Sequence, residues 1–308
     1  MTRIRVMLEY FHPWTNAAGF YVARDRGYYR EAGLDVEFQL YDPGIGDTLE
    51  YITRGWVEFG VFPSNRLLVR REKGERPIGL AAINHRGLET IHTLTDTGIV
   101  RPRDLAGRRV GLNPTPRGRA MLHHLVERDG GDPAAVILVD AGTRELTSDD
   151  IARGEVDATF GSYWAWDLLF SAIPEARRVV WPADEVAGLA YHSYLLGAHE
   201  DLVVRDGDLV RRFLEATGRG FRDAAADQAE TLASLERVIP YFPRPLLARS
   251  LALIAPTWFD RGRWGEQREA LLGPYADWLA RYGILGAPER WRTAVTNDFL
   301  PQRIEEPA

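Results

Sequence analysis

Arg3-Ile4-Arg5-Val6-Met7-Leu8, then Glu9-Tyr10-Phe11-His12-Pro13-Trp14-Thr15-Asn16, then Ala17 to Arg30, then Leu34 to Leu40: this opening decides the fold class. The first six residues alternate as a short strand, and the loop after them is polar and aromatic. Between Ala17 and Arg30 the apolar positions Phe20, Val22, Ala23 and Tyr28 recur at helical spacing, and Gly27 with Gly33 punctuates the exit before the second strand. Strand, helix, strand is a βαβ unit, so the chain begins as an α/β protein.

The same alternation continues. Asp42 to Gly46 reads as a Pro/Gly turn, Asp47 to Arg54 as a helix and Val57 to Val61 as a third strand. A further helix starts at Pro63-Ser64-Asn65, with Ser64 or Asn65 as its cap. Strands follow at Gly79 to Asn84, Glu89 to Leu94 and up to Leu112, then at Val136 to Val139, Val156 to Phe160, Val179 to Trp181 and Tyr191 to Gly197. From Asp208 onward the pattern is helical, including Leu209 to Arg222, Asp227 to Val238, Pro245 to Ile254 and Trp264 to Arg281. No sequence repeat of 20 to 50 residues is visible, yet a similar architecture occurs twice. Residues 1–88 with 196–308 are expected to form one lobe and residues 89–195 a second, with the ligand cleft between them.

Composition narrows the chemistry. With 308 residues, 45% hydrophobic and 27% charged, the chain can bury a real core and is not of the disordered class. No stretch approaches the roughly 18–20 uninterrupted apolar residues of a membrane span, and the opening MTRIRVMLEYF lacks the apolar core of a signal peptide. A net charge of -6 with interspersed signs argues against a nucleic-acid partner and for a small molecule. There is no Cys, which excludes thiolate metal sites and Cys nucleophiles, and Lys73 is the single lysine. His123 and His124 point to different sides of a helix, while His85 and His92 are isolated and read as solvated. No metal or cofactor is expected.

Two loops follow strands and carry aromatics beside a carboxylate: Glu9 to Asn16, and Gly161-Ser162-Tyr163-Trp164-Ala165-Trp166-Asp167. Tyr10, Trp14, Tyr163, Trp164 and Trp166 can stack on a flat ring, and Glu9, Asn16 and Asp167 can hydrogen-bond its amino groups and ring nitrogens. Ordinary aromatic core with solvated carboxylates is the competing reading. Asn113 to Arg119 opens a helix, so its free N–H groups would accept an anion with help from Thr115, Arg117, Gly118 and Arg119. Ser64, Asn65 and Arg66 offer the same arrangement more weakly. Without a GxSxG elbow, His192 beside Tyr191 is the best general-base candidate, though binding or packing is its first reading.

Several phrases resemble a known family. Trp14-Thr15-Asn16-Ala17-Ala18-Gly19-Phe20-Tyr21-Val22-Ala23 through Gly27-Tyr28-Tyr29-Arg30-Glu31-Ala32-Gly33-Leu34-Asp35-Val36 looks like the opening of solute-binding proteins for thiamine-precursor pyrimidines. Ile99 to Gly111, Gly154-Glu155-Val156-Asp157-Ala158 and Gly161 to Asp167 resemble the same family, over about residues 4 to 225. The resemblance implies a two-lobe α/β type II periplasmic-binding-protein (Venus flytrap) fold with a helical C-terminal region. It places ligand contacts at Glu9, Tyr10, Trp14 and Asn16, at Tyr163, Trp164, Trp166 and Asp167, and around Thr115 to Gly118. Related fungal enzymes build the thiamine pyrimidine from pyridoxal phosphate with a Lys and a sacrificial His four residues later. Phe62 and Arg66 stand at those positions, and the Cys-rich stretch of those enzymes would fall around Leu189 to Tyr194, in a chain without Cys.

The resemblance therefore implies binding without that synthesis: a solute-binding protein of an ABC importer, with a permease as partner and a thiamine-pathway aminopyrimidine as first ligand. The alternatives are an enzyme on the same scaffold acting on a cyclic or aromatic metabolite, and a cytosolic sensor. The compartment follows the same division: periplasm or cell surface if a signal peptide was removed, cytoplasm otherwise.

Overall fold

The structure is a computed structural model that describes residues 1–10, 12–42, 44–142 and 144–301. Phe11 of the opening loop and Pro43 of the Asp42–Gly46 turn lie outside the described residues. The chain divides into two compact units. Unit 1 takes Met1–His85, His192–Ala276 and the chain from Leu285 on; unit 2 takes Arg86–Tyr191 and Asp277–Ile284.

Unit 1 is built on a five-stranded sheet. Its strands are β1 (Thr2–Met7), β2 (Leu34–Gln39), β3 (Phe59–Pro63) and β4 (Pro77–Ala82), joined by β10 (Tyr194–His199), in the order β2-β1-β3-β10-β4. In β1, Ile4, Val6 and Met7 turn into the core. Arg3 and Arg5 reach Glu37 and Glu58 at 2.6 and 2.7 Å. β1 pairs in parallel with β2 and β3, whereas β10 runs antiparallel to β3 and β4.

The expected helix from Ala17 to Arg30 is two helices, Ala18–Asp25 and Tyr28–Glu31, because Gly27 takes the left-handed conformation (φ 79°) and interrupts the ladder. Ala18–Asp25 packs against the long helix Gly207–Ala226 at glycines on both sides. A Cβ on Gly19 would lie 2.3 Å from the Phe221 ring, and one on Gly220 would lie 2.2 Å from the Gly19 carbonyl oxygen. Aromatic rings fill the core beneath, Phe59 stacking on Phe213 at 4.1 Å.

Unit 2 repeats the plan. Its strands are β5 (Glu89–Leu94), β6 (Arg109–Leu112), β7 (Ile137–Asp140), β8 (Ala158–Tyr163) and β9 (Arg178–Pro182), in the order β7-β6-β8-β5-β9. β5 is here the antiparallel strand, paired with β8 and β9. The likeness reaches single residues. Arg5 and Glu58 in unit 1 have their counterparts in Arg109 and Asp157 of unit 2, where backbone N–H and guanidinium each meet the carboxylate at 2.8 Å. Ile52-Thr53-Arg54-Gly55-Trp56-Val57-Glu58 and Ile151-Ala152-Arg153-Gly154-Glu155-Val156-Asp157 share the pattern I-x-R-G-x-V-acid, a short internal repeat that the search for longer periods passes over.

The expected helix Trp264–Arg281 needs correction. Arg261 and Gly262 both have positive φ, 52° and 73°, and turn a hairpin between Phe259–Asp260 and Arg263–Trp264, as two-residue loops with two left-handed residues do. Trp264 stacks on Phe221 at 5.5 Å, and the helix begins only at Glu269.

Candidate functional site

Open α/β sheets hold ligands at the carboxyl ends of their parallel strands. In unit 1 this edge carries Glu9 after β1, Ser64 after β3, and Asn84 and His85 after β4. Because β10 is antiparallel, the residues that precede it, His192 and Ser193, lie on the same edge.

Glu9 is buried at 5% exposure. Its Oε1 accepts from Trp14 Nε1 at 3.0 Å and Asn16 Nδ2 at 2.9 Å. Its Oε2 is buried with no hydrogen-bond partner among the described residues. Burial pushes the Glu9 carboxyl above the usual carboxylate range, and the N–H donors on the other oxygen only partly oppose it. A buried acceptor left unpaired costs about 1–3 kcal/mol, so this oxygen needs an explanation. Tyr10 lies edge-on to Trp14 at 5.6 Å, which completes an apolar flank.

Asn16 is held by a reciprocal amide pair. Its Nδ2 donates to Asn84 Oδ1 at 3.1 Å, and Asn84 Nδ2 donates back to Asn16 Oδ1 at 2.9 Å. Trp258 Nε1 and Thr257 Oγ1 take the remaining positions at 2.9 and 2.7 Å. Asn84 carries no local motif, and sequence reading missed it.

The three histidine and serine expectations at this edge change. His192 is fully buried; its Nδ1 faces the Asn84 carbonyl oxygen at 3.3 Å and its Nε2 accepts from the Arg268 N–H at 3.0 Å. Burial pulls the imidazole down to about 3, so it is neutral at pH 7, and these partners assign the proton to Nδ1. With its lone pair committed to a backbone N–H, His192 has no base to offer. His85, expected to be solvated, is buried, and both ring nitrogens lack a partner among the described residues. Ser64 does not cap the helix Ser64–Glu72: Pro63 holds that position, and Ser64 Oγ donates to the His192 carbonyl oxygen. Asn65 is half-buried beside it.

In unit 2 the equivalent edge carries Glu89, Thr115 to Gly118, Tyr163 and Trp164. The anion site expected here finds its donors already answered from within. Arg117 forms an ion pair with Glu89 and donates to the Tyr191 hydroxyl at 2.9 Å, while that hydroxyl donates to Glu89 at 2.6 Å. Thr115 Oγ1 accepts from the Gly118 N–H at 3.0 Å, capping its own helix Pro116–Arg128, and Arg119 donates to the Pro114 carbonyl oxygen.

Asp167 and Trp166 turn inward. The Asp167 carboxylate is fully buried, accepts from Ser148 N and Oγ at 2.9 and 3.1 Å, and pairs with Arg178. Burial alone would raise this carboxyl, but His92, the Ser148 N–H and Arg178 outweigh it and hold it below the usual range. Trp166 packs on Phe170 at 4.5 Å and is 3% exposed. Tyr163 and Trp164 are half-buried.

Comparison with known proteins places the chain among relatives of known name. The chain is 29% identical over 160 residues to the formylaminopyrimidine-binding protein of Halalkalibacterium halodurans, a match covering 52% of this chain and 47%, about half, of that protein. It is 22% identical over 312 residues to the riboflavin-binding protein RibY of Chloroflexus aurantiacus, covering 98% of this chain and 87% of that one. Among solved structures, the alkanesulfonate-binding protein SsuA from Xanthomonas axonopodis pv. citri, bound to MOPS, superposes with a TM-score of 0.72 at 14% identity, covering 96% of this chain and 98% of the other. That likeness shows the fold, the two-sheet α/β architecture of periplasmic binding proteins expected from the sequence. The family model described as NMT1/THI5 like matches residues 14–231, and the chain belongs to that family.

Proposed function

We propose that this chain is the solute-binding component of an ABC importer and that its ligand is a flat aminopyrimidine-type heteroaromatic. The carrying observation is the buried Glu9 Oε2, without a hydrogen-bond partner among the described residues, beside Tyr10 and Trp14. As a carboxylate, Oε2 accepts from an exocyclic amine; with a proton retained by burial, it donates to a ring nitrogen. An aminopyrimidine presents both groups on one edge. Trp14 and Asn16 fix the carboxyl through Oε1, so its free oxygen is aimed before the ligand arrives.

The relative named for formylaminopyrimidine supports this ligand class, and the one named for riboflavin supports a hydrogen-bonding heteroaromatic ring more broadly. The internal pairing of Arg117 with Glu89 weighs against a sulfonate held by that guanidinium, whose charge is already answered.

Calorimetric titration with formylaminopyrimidine, hydroxymethyl-aminopyrimidine, riboflavin and MOPS tests the proposal, with mass spectrometry of the recovered ligand. An aminopyrimidine should bind and return unchanged. Glu9→Gln should weaken that binding by about tenfold or more, as loss of a charge-assisted hydrogen bond does. Tight binding of MOPS without any aminopyrimidine would overturn the ligand class, and chemical conversion would overturn the transport role.

A further inference from the structure

His85 stands out among the buried polar groups of unit 1. It follows β4 on the carboxyl edge of the sheet, and its side chain is buried with neither ring nitrogen hydrogen-bonded among the described residues. Its backbone N–H already serves the fold by donating to the Thr257 carbonyl oxygen at 2.7 Å, a bond that any residue here would make. Packing therefore explains the position and not the imidazole. A phenyl ring would fill the space against His192, whose ring meets His85 edge-on at 5.1 Å, without the desolvation cost of two unpaired nitrogens. The neighbouring residue, Asn84, is locked to Asn16, and Asn16 to Glu9. One covalently and hydrogen-bonded chain thus links His85 to Glu9, two of the residues in unit 1 with buried polar atoms that have no hydrogen-bond partner among the described residues.

We infer that His85 is a second ligand-recognition residue, binding an uncharged polar atom of the ligand through a ring nitrogen. The inference rests on the aminopyrimidine reading and adds a specificity rule to it. Burial pulls the imidazole down to about 4, and the nearby charges, Asp260 and Arg268, are paired with each other. At pH 7 the ring therefore offers one donor and one acceptor and no positive charge. A hydroxyl, an amide or a ring nitrogen suits it. A carboxylate, phosphate or sulfonate at this point does not, since it would require an imidazolium that the site disfavours. His192 cannot take this role, because both of its ring nitrogens are already engaged.

The test uses the full chain with ring-15N-labelled histidine and hydroxymethyl-aminopyrimidine as probe. Saturation should shift the His85 ring nitrogens while leaving those of His192 in place. His85→Phe should lose about tenfold or more in affinity, and His85→Gln, which keeps a donor and an acceptor, should recover part of it. If the wild-type chain binds neither this pyrimidine nor the formylamino one, the functional reading falls and this inference with it. If the wild type binds while the His85 nitrogens do not move, or while His85→Phe binds equally well, only the role of His85 is overturned. The resonance shifts decide the matter in the wild-type chain even if both variants fail to fold.

Discussion

The Arg178 side chain is almost completely buried, and Asp167 is the carboxylate that answers its charge, with Ser148 supplying two further donors to the same group. Removing one partner of a buried pair leaves an uncompensated charge, so Asp167→Ala should destabilise the protein by about 3–5 kcal/mol, read as a lower urea midpoint. A loss under about 1 kcal/mol would mean that the pair is not held as described. In the sequence, Asp167 closes an aromatic phrase and reads as a binding carboxylate. Its real partners stand 11 and 19 residues away, where no local pattern reports them. The placement of Glu9 at the carboxyl edge of the sheet was legible because it stands two residues after β1. Asn84 and His85 were not, since what buries Asn84 is Asn16, 68 residues upstream, and Thr257, 173 residues downstream.

At the scale of the element, helix starts depend on few atoms. Thr115 Oγ1 satisfies the Gly118 N–H, and Thr115→Ala should cost about 1 kcal/mol while Thr115→Ser costs little, as chemical denaturation would register. Equal losses for both substitutions would assign the effect to the Thr115 methyl group and not to the cap. Elements with a clear period were legible: the alternation over Arg3 to Leu8 marks β1, which spans Thr2–Met7. The Trp264 segment was misread because its apolar spacing mimics a helix, whereas the chain direction there is set by the left-handed pair Arg261-Gly262. A non-glycine residue at positive φ is not visible in a hydrophobic pattern. The I-x-R-G-x-V-acid repeat escaped for the opposite reason: seven residues are too short for a periodicity search, and only the matching Arg–carboxylate pairs give it meaning.

For the whole molecule, each sheet has the same strand order, but its antiparallel strand arrives differently. β5 belongs to the stretch that builds unit 2, whose five strands all lie between residues 89 and 182. Unit 1 is not so fortunate: β4 pairs only with β10 among the described strands, and Tyr194 meets Pro63 across 130 residues of intervening chain. On a ribosome, the first 85 residues emerge with β3 and β4 unable to join, and they must wait while the second sheet completes itself. The order of synthesis is thus the reverse of the order of completion. A fragment of residues 86–191, which holds all five strands of the second sheet and lacks only Asp277–Ile284 of unit 2, should unfold cooperatively when made alone, whereas residues 1–85 should show no cooperative transition until the segment containing β10 is supplied. A cooperative 1–85 fragment would contradict this order. Until β10 emerges, the nascent chain exposes an apolar β4 edge, and it is there that a chaperone would find its longest-lived target.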